Sequence, residues 1–493
     1  MRNVLSESNF RQPIQLYLLS FAELWDRFSY YGIQVLLVLY VTKVFLFSDD
    51  KAYSLYGAYT ALTFATPVMG GFIADRWLGF YRTVIAGAIL LILGNLILIF
   101  PGLNQFYLGL ALVICGIGLF KPNNVSLVGA LYEHADIRRE GGFAILYIAM
   151  NAGALLGPIV YGFLEAHFGW RYGFGLTVIG TGIALIILIT KGRSLNKSLM
   201  TLSKKTQLGL SINQLFYLGV VITIALLTLL LNKTDIFANV LGLIGIITII
   251  TLTVIAINSE KIDRNRIIGL IIMALFNLFF FACALQTATS LTLFIEREIN
   301  RTVLGWQIPT MMFLSLEPLF IVLSAPLLAK LWTWLGYRHC EPSSPLKLGF
   351  GLILAAISFS IFAITANICN IDKTLALTGI IIGNLTLGIG ELCVFPVMLS
   401  AISRLAPQKM KGTFMGVLFL ANAFSGYLAG LLAQFISIAN SKTKGLTQQL
   451  ATSNYQHAFT HIAYVTFFIG LLGILLTPFL NRLLSEKQLI HFE

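Results

Sequence analysis

Apolar residues in this chain come in long runs, not at the 3.6-residue spacing of a soluble amphipathic helix. Six runs lie near 15–45, 53–74, 83–101, 105–131, 143–166 and 172–190. Another six lie near 267–295, 308–335, 347–368, 374–404, 411–438 and 459–482. Between the two sets sit runs at 214–231 and 237–257, dominated by Leu, Ile, Val and Thr and free of internal charge. A bilayer span needs about 20 apolar residues, so the pattern predicts an all-α polytopic membrane protein with 14 transmembrane helices, ordered six, two, six. The expected divisions are an N-terminal bundle at 1–191, a linker with the two plain helices at 192–262, and a C-terminal bundle at 263–493.

Composition agrees. Of 493 residues, 57% are hydrophobic and only 11% are charged, whereas soluble domains carry roughly a quarter of their residues as Asp, Glu, Lys or Arg. That excludes a water-soluble enzyme, and the wealth of Leu, Ile and Phe excludes disorder. The net charge of +12 raises the question of nucleic acid, and position answers it. With both termini placed in the cytoplasm, 22 of the 33 basic residues fall in inner loops and nine in outer ones. This bias is the positive-inside pattern of a membrane protein, and no nucleic-acid partner is needed to account for the charge. Cys115, Cys283, Cys340, Cys369 and Cys393 form no CxxC pair, so neither a zinc site nor a disulfide framework is expected. The stretch Met1–Pro13 is mostly polar and has no signal-peptide pattern.

Two basic residues, Arg27 and Lys121, fall inside spans, as do Glu23, Asp26, Glu317 and Glu391. A charge at mid-bilayer costs at least ~2.5–3.5 kcal/mol on insertion scales, so each of the six needs a reason. Glu23 and Arg27 stand four residues apart on one helical face that Tyr30 and Tyr31 continue. They make either an internal pair that only neutralises the arginine or a cationic anchor with titratable neighbours in a watery site. Lys121 precedes Pro122, and Glu317 precedes Pro318; both prolines are expected to bend their helices. Glu391 follows Gly388-Ile389-Gly390, where small residues admit a close neighbour. Cations in the first half and carboxylates in the second describe a site between two bundles for a substrate with a positive and a negative end.

Other chemistry is missing from the sequence. Gly70, Gly71 and Gly79 are followed by no Gly-Lys-Ser or Gly-Lys-Thr, so there is no nucleotide loop. The histidines lie in loops, tails or helix ends. No ATP hydrolysis, cofactor or metal is expected, and any pumping must draw on an ion gradient.

The segment Gly70-Gly-Phe-Ile-Ala-Asp-Arg-Trp-Leu-Gly79 resembles the loop between spans 2 and 3 of the major facilitator superfamily. There Asp75 and Arg76 would latch the cytoplasmic helix ends. Glu23-Leu-Trp-Asp-Arg-Phe-Ser-Tyr-Tyr-Gly32 is similar to the first-span motif of the proton-dependent oligopeptide transporter family. Phe143…Tyr147…Asn151-x-Gly153, Lys121-Pro122-Asn123 and Gly390-Glu391-Leu392 resemble its later signatures. The resemblance runs from residue 15 to about 480. It implies a major facilitator fold of two six-helix bundles plus two inserted helices, and proton-coupled symport of di- and tripeptides by alternating access in the bacterial inner membrane, as a monomer. Arg27 and Lys121 would meet the peptide carboxylate, while Glu391 and Asn151 would hold the amine. Tyr30, Tyr31, Phe64, Tyr147 and Gln286 would line the pocket, and Glu23, Asp26 and Arg27 would join the proton-linked cluster.

The departures bear on coupling and substrate choice. Asp26 stands where the family motif has a longer Glu, Phe64 where a Tyr is common, and Leu418 where a Trp is usual. Leu285-Gln286 replaces a Glu-Gln pair, so a carboxylate credited with proton coupling is missing, and Glu317 stands in place of an Asn. Glu317 is expected to substitute for the lost carboxylate, as proton carrier or as second amine ligand. The alternative is a relocated charge that only pairs with a neighbour. The altered coupling set also keeps open an amino-acid, peptidomimetic or drug carrier or exporter. A non-transporting receptor would have no use for Arg27, Lys121 and Glu391, and a channel would need a filter-like ring.

Overall fold

The computed structural model describes residues 12–132, 138–191, 212–369, 371, 373–407, 410–441 and 448–484. Arg2, Arg11, Arg193, Lys197, Lys204, Lys205, Lys409 and Lys487, part of the inner-loop count, lie outside the described residues, as do the outer Lys442 and Lys444 and most of the start of the 192–262 linker.

The described residues are helical almost throughout. The first six helices are α1 (Ile14–Lys43), α2 (Asp49–Ile73), α3 (Phe80–Leu98), α4 (Leu103–Gly129), α5 (Arg139–Phe168) and α6 (Trp170–Lys191). The plain pair follows as α7 (Ile212–Asn232) and α8 (Thr234–Ile257). The third group comprises α9 (Lys261–Ala284), α10 (Ser290–Glu298), α11 (Leu316–Tyr337), α12 (Ser344–Ile368), α13 (Lys373–Leu405), α14 (Lys411–Ser441) and α15 (Gln448–Leu484). Helices α9 and α10 are two halves of one span, Lys261–Glu298, so the six–two–six order holds. By length and apolar composition 12 of the spans qualify without qualification. The two that do not, α1 and α2, carry the ionic and glycine-rich motifs.

One break escapes the hydrophobic pattern. The run at 267–295 is divided by a 3₁₀ turn, Leu285–Ala288, with no Pro or Gly to announce it. The cause is a cluster of side chains that compete with the helix for backbone groups. Gln286 Nε2 donates to the carbonyls of Ala282 and Ala429, while its Oε1 accepts from Thr289 and Ser290. Thr287 and Thr292 donate to the carbonyls of Ala284 and Thr287.

The expectation for Pro318 needs correction, and that for Pro122 meets a continuous helix. Helix α4 runs through Pro122 without interruption; the lost N–H sits where Gly70 approaches the Gly118 carbonyl so closely that a Cβ on residue 70 would lie 1.9 Å from that oxygen. Pro318 does not bend the middle of a span. A 3₁₀ helix occupies Thr310–Ser315, and α11 begins at Leu316, which places Pro318 in the first turn, where a missing N–H is tolerated. Glu317 therefore sits at a helix start.

Packing divides the chain into two units: Met1–Ile33 with Leu62–Asn232, and Gln34–Ala61 with Lys233–Glu493. This division does not follow the sequence boundaries at 191 and 262. In the second unit, the 34–61 segment lies against α14 through glycines: a Cβ on Gly57 would fall 3.3 Å from the Gly426 carbonyl, and one on Gly430 2.7 Å from that of Tyr53. The turn between α1 and α2 is tied by ions. Arg297 makes a bidentate pair with Asp49 (2.6 and 2.7 Å), and Glu296 pairs with Lys43 at 2.6 Å and Arg301 at 3.2 Å. Beyond α10 the strands β1 (Thr302–Val303) and β2 (Trp306–Gln307) form an antiparallel hairpin. Its turn places Leu304 at φ 50° and Gly305 at φ 81°, the geometry of a tight two-residue hairpin.

Candidate functional site

In the first unit the predicted charges of α1 and α4 come together. Glu23 is wholly buried and Asp26 nearly so. Glu23 Oε1 pairs with Arg27 Nε at 3.2 Å, and its Oε2 accepts from Asn124 Nδ2 at 2.7 Å. Asn124, one residue beyond the Lys-Pro-Asn signature, has the same wholly buried status, and its role was legible only as a polar residue deep in an apolar helix. Arg27 also reaches the Met150 sulfur at 3.8 Å on α5. That approach depends on Gly153, where any Cβ would lie 2.4 Å from the Leu24 carbonyl. The charges acting on Asp26 are those of Glu23, Arg27 and Lys121. The ammonium of Lys121 stands 5.3 Å from the Tyr30 ring centroid and 5.7 Å from that of Phe64. Both are within cation–π range, and Phe64 supplies its ring face without a hydroxyl. Tyr31 packs edge-on to Tyr30 at 5.1 Å and faces Arg27. Of these four groups, Glu23 and Arg27 make the one ion pair among the described residues, Asp26 Oδ1 is buried without a hydrogen-bond partner there, and Lys121 stands over ring faces.

Tyr147 is exposed, and its carbonyl accepts from the Asn151 amide at 2.8 Å. Asp75 and Arg76 are exposed in a π-helical turn, Ala74–Leu78, and Arg76 lies over the Phe72 ring at 5.2 Å. No ion pair of either residue is found among the described residues.

The second unit holds the other two membrane charges. Glu317, at the start of α11, and Glu391, within α13, hydrogen-bond to each other. Gly388 admits this approach, since its Cβ position lies 3.3 Å from the Glu317 carbonyl. Thr287 Oγ1, from the 3₁₀ break, is 3.5 Å from Glu317 Oε2. No Lys, Arg or His among the described residues acts on either carboxyl. Gln286, adjacent in sequence, is wholly buried, and its amide is occupied in holding the break. Leu418 packs in the apolar core of this unit.

The helix order and the charged groups set within spans define an integral membrane transporter of the major facilitator fold. The model of the POT family matches residues 81–456, and the chain belongs to the POT family. It is 30% identical to dipeptide and tripeptide permease A of Erwinia pyrifoliae, over 97% of this chain and 96% of that protein. It is 31% identical to the uncharacterised transporter YclF of Bacillus subtilis, over 98% and 97% of the two chains. Among solved structures, a POT family transporter in complex with 5-aminolevulinic acid superposes with a TM-score of 0.81 at 27% identity, covering 95% of this chain and 97% of that one.

Proposed function

We propose that this protein carries di- and tripeptides across the bacterial inner membrane together with protons, by alternating access, with both termini in the cytoplasm and as a monomer. One observation carries the reading. The first unit holds the cations Arg27 and Lys121 in the membrane, and the second holds carboxyls, Glu317 and Glu391, with no cation beside them among the described residues. A peptide is a rod with an ammonium at one end and a carboxylate at the other. Arg27 and Lys121 take the carboxylate end by charge-assisted hydrogen bonding, and Glu391 with Asn151 takes the amine. Tyr30, Tyr31, Phe64 and Tyr147 contact the body of the substrate. Glu23 and Asp26 set the charge balance around Arg27 as protons enter and leave, and Asp75 with Arg76 latches the inner helix ends. The names of the relatives support a peptide cargo, and 5-aminolevulinic acid, the ligand of the solved relative, likewise carries an amine and a carboxylate at opposite ends.

The test is accumulation of labelled dipeptide in proteoliposomes under an inward proton gradient, with free amino acids and longer peptides as competitors. Gradient-driven accumulation that dipeptides and tripeptides compete for is expected. Absence of accumulation for every di- and tripeptide would discard the reading. Leu285, standing where the resemblance calls for a carboxylate, favours the second reading: a carrier or exporter of amino acids, peptidomimetics or drugs with altered proton coupling. Competition by single amino acids would favour it.

A further inference from the structure

At the far end of α11, away from the buried charges, two basic side chains have no acid to meet. Lys330 is exposed within that helix, about two turns before its end at Tyr337, and the neighbouring Leu327 and Leu331 are exposed with it. Trp334 and Arg338 follow four and eight residues on, which puts all three on one helical face. The Arg338 guanidinium lies over the Trp334 ring at 4.2 Å. The same face continues toward the middle of the span through the exposed Leu327 and Leu323. Among the six spans that run from α9 to α15, this one is the least covered: 22% of its most apolar stretch is buried, against 33% or more in the others. The other polar groups at this end are engaged. Lys347 pairs with Glu341 and lies over the Trp332 ring at 4.7 Å, and Arg404 donates to the Ser344 hydroxyl at 3.2 Å. Among the described residues no Asp or Glu pairs with Lys330 or Arg338.

We propose that this face of α11 binds one anionic phospholipid of the surrounding bilayer, with the phosphate between Lys330 and Arg338 and an acyl chain along Leu327 and Leu323. The two cations stand about 12 Å apart along the helix axis, and the long stems of both side chains let them converge on one headgroup. Arg338 offers the phosphate a planar pair of donors, and Lys330 a mobile point charge. Trp334 between them and Tyr337 beside it are the residue types that settle at headgroup level. Basic side chains at a membrane surface draw acidic lipid to themselves. A zwitterionic lipid fits less well, because its own cationic group would face two others. A soluble anion also fits less well, because it gains nothing from the apolar surface of Leu323 and Leu327. The site is independent of the peptide reading and requires only that the chain span a membrane.

Native mass spectrometry of the full-length protein tests this, with phosphatidylglycerol and phosphatidylcholine of matched acyl chains as probes. Phosphatidylglycerol should be retained in preference to phosphatidylcholine. Lys330→Gln and Arg338→Gln should each weaken that retention about fivefold, and the double variant roughly 25-fold, the effect of taking basic residues away from an anionic surface. Lys261→Gln, which removes an exposed cation at the start of α9, should leave it unchanged. In bilayers, phosphatidylglycerol brominated in its acyl chains should quench tryptophan fluorescence more than phosphatidylcholine brominated in the same way, and Trp334→Phe should remove most of the difference. Equal retention of the two lipids, or a preference that survives the double variant, would overturn the proposal. Displacement of the bound lipid by inorganic phosphate would overturn it too, since the site would then belong to a soluble anion. Where the double variant does not insert, the wild-type protein decides. Its preference for phosphatidylglycerol should weaken as salt screens the two cations, and a preference indifferent to salt counts against ionic capture.

Discussion

The α1–α4 cluster and the α11–α13 pair answer the same difficulty in opposite ways. Both place ionisable side chains among apolar helices, where bare charge is costly. Around Arg27 acids and bases stand together: Glu23 pairs with Arg27 and accepts from Asn124, and Lys121 lies over two aromatic rings. Around Glu317 there is no counter-cation among the described residues, and two acids face each other across a hydrogen bond. The first arrangement mixes acids and bases; the second holds acids alone. A balanced ionic set is rigid in composition, whereas a carboxyl pair changes its charge by exchanging a proton with water, so the second unit is the more easily switched of the two.

Removing single charges should expose that contrast. Glu23→Gln leaves Arg27 without its partner, and breaking a buried pair costs on the order of 3–5 kcal/mol. Because Arg27 is partly exposed, the lower end is expected, read as a large drop in the melting temperature of detergent-purified protein together with loss of uptake. Next comes the packing that holds the cluster. Gly153→Leu pushes a side chain into the Leu24 carbonyl and should cost about 1–3 kcal/mol by overpacking, again measured by melting temperature. The Asp49–Arg297 pair, with its arginine 40% exposed, is worth at most ~1 kcal/mol; Asp49→Asn should lower stability slightly, and less at high salt. Smallest of all, Glu317→Gln with Glu391→Gln replaces both partners of the pair by neutral amides of similar shape and should be nearly neutral for stability while abolishing uptake. If the double amide destabilised the protein as much as Glu23→Gln, the contrast between the two regions would collapse.

Much of this was legible in the chain. The spans follow from apolar run length, which is set locally, and the six charged residues are conspicuous because each costs energy where it stands. The break at Leu285–Ala288 was not legible, since no Pro or Gly marks it; it depends on Gln286 reaching the Ala429 carbonyl, far away in sequence. Pro318 was read as a kink because a proline within an apolar run looks the same whether it bends a helix or begins one. The grouping of 34–61 with the C-terminal helices was equally hidden, for it rests on Gly57, Gly426 and Gly430 meeting across α2 and α14. Asn124 was passed over because a lone amide in an apolar helix names no partner. Local pattern thus gave the elements, and non-local hydrogen bonds and close glycine approaches decided how the charged residues are used.

The short hairpin at 302–307 offers a practical handle on orientation. Leu304 is fully exposed at its tip, in a backbone conformation that Leu seldom adopts and that Gly305 adopts freely. An epitope inserted between Leu304 and Gly305 would extend a turn that bears no packed side chain at its apex. In intact cells stripped of their outer envelope, an antibody to that epitope would label this loop only if it faces outward, and a reporter fused after α15 would have to respond from the opposite side. A hairpin of so few residues thereby becomes the simplest compass for the whole chain.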